Sequence, residues 1–157
     1  MTDWFRTTIG VRQGDNLSPV LFNMYVNDLI TEIKGLGNGL EIGNNKLSIL
    51  VYADDVVLMA DTKVELQRML DVLYQWCCKW RLAINTTKTK IIHFRNKRKP
   101  RTEFELRYDE HVIDVVDKYK YLGVFVTEHL DYNHMAEMLT GAAGRALGRI
   151  YQQNQKH

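Results

Sequence analysis

The chain has 157 residues, 45% of them hydrophobic, enough for the core of one domain of ordinary size. No stretch approaches the roughly 18 apolar residues of a membrane-spanning helix, and Met1-Thr2-Asp3 begins no secretory leader, so an intracellular protein, cytoplasmic or nuclear, with no membrane partner is expected. The net charge of +2 conceals an uneven distribution: Lys88, Lys90, Arg95, Lys97, Arg98, Lys99 and Arg101 form one basic stretch without an acidic residue, and outside it 14 basic residues face 19 acidic ones, a net of −5.

Trp4 to Val11 reads as a short strand with β-branched Thr7, Thr8 and Ile9. It ends in Gly10-Val11-Arg12-Gln13-Gly14-Asp15-Asn16, a loop whose glycines permit unusual backbone angles or the close approach of a ligand. Taken alone, Gln13-Gly14-Asp15 suits a structural and a functional loop equally. Ser18 followed by Pro19 is a cap and first-turn proline. The spacing predicts a helix over 19–34 with Val20, Leu21, Met24, Tyr25, Leu29, Ile30 and Ile33 on one apolar face, closed by Gly35, Gly37 and Gly39. Leu40-Glu41-Ile42 then alternates as a strand, and Gly43-Asn44-Asn45 supplies a hairpin turn into the next one.

That next stretch, Ile49 to Ala60, organises the chain: five apolar residues lead to Asp54-Asp55 and five lead away. Both flanks have the length and β-branched content of strands, which predicts a hairpin with Ala53-Asp54-Asp55 at its tip. Two like charges about 4 Å apart repel by roughly 4 kcal/mol at an intermediate effective dielectric. A divalent cation with oxygen ligands would reverse that sign, and Mg²⁺ is the usual one beside phosphates. The plainer reading is an Asp-Asp pair on a solvent-exposed turn.

Thr62 and Glu65 form a capping box for a helix over 63–82, whose stripe of Val64, Leu66, Met69, Leu70, Leu73, Trp76, Cys77 and Trp80 marks core packing. Adjacent Cys77 and Cys78 neither bridge each other nor make a zinc site alone, which suits a reducing compartment. Thr89 to Phe94 reads as a strand. The basic loop behind it is a solvated face, a nuclear-import signal or a phosphate-contacting patch. Phe104 to Tyr108 and Val112 to Val116 pair as a hairpin turning at Asp109-Glu110, and Tyr119 to Val126 is a β-prone run in which Gly123 marks a bend or a close backbone approach. From Asn133 the pattern is helical. His129 and His134 are five apart with no third ligand, which argues against zinc.

Read together, Arg12-x-Gly14-Asp15-x-Leu17-Ser18-Pro19, Tyr52-Ala53-Asp54-Asp55, Asn85-x-x-Lys88-Thr89 and Tyr121-Leu122-Gly123-Val124, in this order, resemble the reverse transcriptases of non-LTR (LINE-type, jockey-like) retrotransposons. The resemblance runs from Trp4 to about Ile150. It implies an α+β fold, with residues 1–126 a partial palm whose antiparallel sheet packs on helices, residues 127–157 the start of a thumb, and the fingers absent. Viral RNA-copying polymerases typically carry Gly-Asp-Asp at the hairpin tip, so Tyr-Ala-Asp-Asp favours RNA-directed DNA synthesis.

The resemblance also implies roles. Asp54 would ligate two catalytic Mg²⁺ ions with Asp55 in support, in a nucleotidyl transfer using an RNA template, a DNA primer and deoxynucleoside triphosphates. Arg12 would brace the loop in which Gln13 and Gly14 line the incoming nucleotide and template base. Tyr52 and Ala53 would form the floor beneath the primer end, and Tyr121, Leu122 and Gly123 the primer grip. Lys88, rather than Lys90, would neutralise or protonate the departing pyrophosphate, while Arg95, Lys97, Arg98 and Lys99 would contact the nucleic-acid backbone.

Three departures qualify the likeness. The family's third carboxylate, in a pattern resembling Phe-x-x-x-Asp-Phe, is not found in these residues; Arg81 stands where the family often has Gly; and Asn16 replaces a more usual Pro. The expectation is therefore a polymerase segment active only within a longer polypeptide. The alternatives are a truncated, inactive remnant that at most binds nucleic acid and, with little behind it, a Mg²⁺-dependent nuclease of another fold. Exposed apolar surface, an unpaired sheet edge and marginal stability are expected of the isolated chain.

Overall fold

The computed structural model describes residues 17–100 and 102–131 and the helical positions 136, 140, 141, 144 and 145. The expected strand over 4–11 lies outside the described residues, as does most of the helix expected after Asn133. The chain divides into two compact units, one made of Met1–Ala83 and Leu106–Glu110, the other of Ile84–Glu105 and His111–His157.

The first unit is built on two helices. Helix α1 spans Ser18–Gly35 with Pro19 in its first turn. Leu17 holds the cap position at φ −83° and ψ −25°, so Ser18 lies inside the helix and is not the cap that the sequence suggested. Its C-terminus closes through Leu36 N–H to the Ile33 carbonyl (3.2 Å) and Gly37 N–H to the Lys34 carbonyl (3.1 Å).

The single apolar face expected for α1 resolves into two. Val26, Leu29 and Ile33 are buried, while Leu17, Val20, Leu21 and Met24 are exposed. At 3.6 residues per turn, the two sets lie roughly 200° apart around the helix axis. The sequence reading merged them and so missed Val26. Leu17, Val20, Leu21 and Met24 leave an apolar stripe in contact with solvent on the first two turns.

Helix α2 spans Lys63–Trp80 and begins with the capping box foreseen from sequence. Glu65 N–H donates to the Thr62 hydroxyl oxygen at 3.2 Å, and Thr62 N–H donates back to a Glu65 carboxylate oxygen at 3.1 Å. Met69, Leu70, Leu73, Trp76 and Cys77 are buried, as the stripe required, whereas Val64 is exposed. Tyr25 of α1 packs on Trp76 and Trp80, with centroid separations of 5.7 and 4.5 Å, and its hydroxyl donates to the Trp80 carbonyl at 3.2 Å. Burial pushes the Cys77 thiol above its ordinary pKa, the mark of an unreactive core cysteine.

The helix stops at Trp80 and not at Leu82, because Arg81 takes the left-handed conformation (φ 55°, ψ 38°). Leu82 N–H reaches the Cys77 carbonyl (2.9 Å) and Arg81 N–H the Cys78 carbonyl (3.3 Å), the two bonds of a Schellman closure. Glycine takes this position without a Cβ penalty, so Arg81 fills with strain a position in which Gly would be relaxed.

The strands form two-stranded pairs. Strands β1 (Leu40–Ile42) and β2 (Asn45–Leu47) are antiparallel around Gly43-Asn44, Gly43 having φ 60°. The chain then breaks at buried Ser48 before β3 (Ile49–Tyr52), where one continuous strand was expected. At Gly39 an added Cβ would meet the Leu47 carbonyl oxygen at 2.8 Å, so the start of this hairpin requires a glycine. Strand β4 (Asp55–Leu58) pairs with β3. Strand β5 is only Ile91–Ile92, because the flanking residues are held in loops. Strands β6 (Arg107–Tyr108) and β7 (His111–Val112) flank Asp109-Glu110, with Phe104–Leu106 outside any strand. The Gln67 side chain fixes β6 by accepting from Arg107 N–H (2.9 Å) and donating to its carbonyl (2.8 Å).

In the second unit β8 (Val115–Val116) pairs with β5 in parallel, contrary to the all-antiparallel expectation. Strands β9 (Lys118–Tyr121) and β10 (Val124–Thr127) are antiparallel. Ile91 and Ile113 are its buried apolar anchors. Among the described residues the architecture is mixed α/β with two-stranded pairs, and no single palm-like sheet unites them.

Relieving the left-handed strain at the end of α2 gives a direct check. Arg81→Gly should stabilise the first unit by about 1 kcal/mol, read as a higher urea midpoint in tryptophan fluorescence. An unchanged or lower midpoint would contradict the assignment of strain to this residue.

Candidate active site

The Asp54-Asp55 hairpin folds as its sequence demands. The register pairs Ile49 with Leu58, Leu50 with Val57, Val51 with Val56 and Tyr52 with Asp55, so the turn proper is the two-residue Ala53-Asp54. Asp55 is thus the first residue of β4 and not part of the tip. A two-residue hairpin needs positive φ at its first central position to match the twist of the strands, and Ala53 supplies it at 50°. Ile49 is buried at one end of the hairpin, and Met59 N–H donates to the Ser48 carbonyl at 2.8 Å just beyond the last pair.

Both aspartates are exposed, as are Ala53 and Tyr52, the latter at 63%. Water therefore screens the like-charge repulsion between them. The donor chemistry still fits a hard divalent cation, since both groups are carboxylates of the kind such ions prefer. Two side chains supply only part of a coordination shell. Among the described residues no group of three or more His, Cys, Asp or Glu side chains is placed to hold a metal.

The other sequence-assigned positions divide between the units. Arg12, Gln13 and Gly14 lie outside the described residues. Asp54, Asp55, Tyr52 and Ala53 belong to the first unit; Lys88, the basic run and Tyr121-Leu122-Gly123 belong to the second.

Lys88 sits on a turn organised by Asn85, a residue that the sequence reading quoted only as part of a motif. Lys88 N–H donates to the Asn85 carbonyl and to its Oδ1, both at 3.1 Å, and Thr89 N–H donates to the same carbonyl at 3.0 Å. The Lys88 side chain is exposed and unpaired among the described residues, whereas Lys90 Nζ lies 2.6 Å from Asp114. That contrast favours Lys88 over Lys90 as the free cation.

The basic run separates in the same way. Arg95 is bidentate to Glu128, with Nε to Oε2 at 3.0 Å and Nη2 to Oε1 at 2.9 Å, both side chains being mostly buried. Its Nη1 also donates to the Lys99 carbonyl at 2.6 Å. Lys97 pairs with Asp131 at 2.9 Å. Arg98 and Lys99 extend from the turn after Asn96 with no ion pair among the described residues. Arg95 is therefore a structural brace, and among the described residues the free cations of the run are Arg98 and Lys99. No local signal could have revealed this, since Glu128 lies 33 residues from Arg95. His129, considered above beside His134, donates from Nδ1 to the Arg95 carbonyl at 3.0 Å and braces the same loop; His134 lies outside the described residues.

Tyr121-Leu122-Gly123 is the end of β9 and the turn into β10, not a bend within one strand. Leu122 (φ 47°) and Gly123 (φ 85°) both adopt positive φ, as a type I′ turn requires, and Leu122 is half exposed at the tip.

A family profile described as reverse transcriptase (RNA-dependent DNA polymerase) matches residues 2–126. The retrovirus-related Pol polyprotein from type-1 retrotransposable element R2 of Popillia japonica is 33% identical over 123 residues, covering 74% of this chain and 17% of that protein. The corresponding polyprotein of the type-2 element R2DM of Drosophila melanogaster is 30% identical over 75% of this chain and 12% of its own length. The RNA-directed DNA polymerase from mobile element jockey of Drosophila funebris is 28% identical over 78% of this chain and 13% of that protein. The chain thus spans less than a fifth of the length of each of these relatives.

The division of the basic run predicts separable effects. Replacing Arg98 and Lys99 by Gln should weaken binding to a short RNA–DNA duplex and lower its salt slope by about 1 to 2, with little change in stability. Arg95→Gln should instead lower the unfolding free energy by about 2 kcal/mol. Duplex affinity indifferent to the double substitution would return the run to a solvated loop.

Proposed function

The chain belongs to the reverse transcriptase (RNA-dependent DNA polymerase) family, that of non-LTR retrotransposons, and from that premise we propose that it is a polymerase segment, palm and start of thumb, that serves template-directed DNA synthesis from RNA within a longer polypeptide. The observation that carries the reading is the Tyr52-Ala53-Asp54-Asp55 hairpin, which exposes two adjacent carboxylates, one on the turn between two apolar strands and one opening the second strand. The partners are an RNA template, a DNA primer and deoxynucleoside triphosphates.

On this reading Asp54 and Asp55 hold divalent metal, Mg²⁺ in the cell. When bound, such ions stabilise the attacking and leaving oxygens of an in-line phosphoryl displacement. The chain's own contributions are positional and electrostatic. Arg12 braces the loop in which Gln13 and Gly14 line the incoming nucleotide and template base. Tyr52 and Ala53 floor the primer end, and Tyr121, Leu122 and Gly123 grip the primer. Lys88 meets the departing pyrophosphate with a cationic amine able to donate a proton. Its support is an exposed ammonium with no ion pair among the described residues, beside a Lys90 committed to Asp114. Arg98 and Lys99 supply charge toward the nucleic-acid backbone.

A chemically inert remnant is the second reading, favoured by one observation: these 157 residues contain two of the family's three carboxylates in recognisable motifs. Both readings expect these residues alone to be inactive. Primer extension by the purified chain on an RNA template, with Mg²⁺ and nucleotides, should yield no incorporation. Incorporation that Asp54→Asn abolishes would overturn that expectation and show the two carboxylates to suffice.

A further inference from the structure

Lys88 is held firmly through its main chain, and its tip has no partner among the described residues. Its N–H is taken twice by Asn85, through the carbonyl and Oδ1. The turn is tightened further by the Thr89 hydroxyl donating to the Asn85 carbonyl at 2.9 Å and the Thr87 hydroxyl donating to Asn85 Oδ1 at 2.6 Å. On the other side, the Lys88 carbonyl accepts the hydroxyl of Tyr119 at 3.0 Å, from a strand 31 residues further along the chain. Tyr119 in turn is fixed by its pairing with Val126 across β9 and β10.

We infer that Tyr119 is a positioning residue for the Lys88 amine, tying the lysine's turn to the hairpin that carries Tyr121-Leu122-Gly123. The inference deepens the reading of Lys88 given above and rests on it. A lysine ammonium is a compact charge on a flexible four-carbon stem, so the volume its tip explores depends on how tightly its Cα is anchored. Asn85 anchors the turn to itself; only Tyr119, among the contacts described, anchors the Lys88 carbonyl to another element. Through it the position of the pyrophosphate-facing amine follows the position of the primer-facing hairpin.

Tyr119→Phe removes the hydroxyl and keeps both the ring and the backbone pairing, so the hairpin should persist. In hydrogen exchange on the whole chain, the Lys88 and Thr89 amides should lose protection about five- to tenfold while the amides of β9 and β10 keep theirs. A purely structural contact would show that much. The discriminating readout is the Lys88 resonance in a ¹³Cε-lysine-labelled chain, assigned by Lys88→Arg and titrated with inorganic pyrophosphate. The expected result is a saturable shift in the wild type and an apparent affinity several-fold weaker in Tyr119→Phe. Equal affinity in both proteins would overturn the positioning role and leave the phosphate role of Lys88 standing. A wild-type Lys88 resonance indifferent to pyrophosphate would remove the phosphate role, and the positioning role with it.

Discussion

The requirement that a two-residue hairpin turn carry positive φ is the constraint on which the proposed metal-holding and primer-facing turns of this chain depend. Four strand pairs turn in two residues, at Gly43-Asn44, Ala53-Asp54, Asp109-Glu110 and Leu122-Gly123. At the first, glycine adopts the left-handed angle without penalty. At the other three, Ala53, Asp109 and Leu122 adopt it with a Cβ, a conformation that costs roughly 1–2 kcal/mol per residue. Two of these turns carry the paired aspartates and the Tyr-Leu-Gly motif, while Asp109-Glu110 carries no assigned role. Non-glycine residues in strained backbone concentrate at functional sites, where side-chain identity matters more than ease of folding. In Leu122 the outcome is a large apolar side chain held out at a hairpin tip; in Ala53 it is a small one beside the first carboxylate.

What the sequence made legible was what local chemistry determines. The capping box at Thr62 and Glu65, the core stripe of α2 and the hairpin around Asp54 each depend on residues within a few positions of one another. The face of α1 was misjudged because periodicity counts apolar residues without knowing which of two opposed stripes has a partner. Val26 and Met24 are equally apolar, and only packing makes one buried and the other exposed. The expected strand at 89–94 shrank to two residues, and its parallel partner, β8, could not be read from a pattern that carries no register.

Charge was the least legible quantity. Seven cations in one run look equivalent in sequence, yet tertiary contacts commit Arg95 to Glu128, Lys97 to Asp131 and Lys90 to Asp114. The partially buried Arg95 pair closes a loop, while Lys88, Arg98 and Lys99 keep exposed, unpaired ammonium or guanidinium groups among the described residues. Short turns organised by Asn85 and Asn96 present these free cations, so the fold supplies rigid bases for side chains whose tips remain available.

The central claim is that the Asp54-Asp55 hairpin is a metal-holding element of a polymerase and not simply an acidic turn. The most direct measurement is paramagnetic broadening of amide resonances in the ¹⁵N-labelled chain on addition of Mn²⁺, a stand-in for Mg²⁺. The account predicts broadening centred on Asp54 and Asp55 and its loss from that hairpin in Asp54→Asn. Broadening that bypasses the hairpin, or gathers instead at another acidic turn such as Asp109-Glu110, would contradict it.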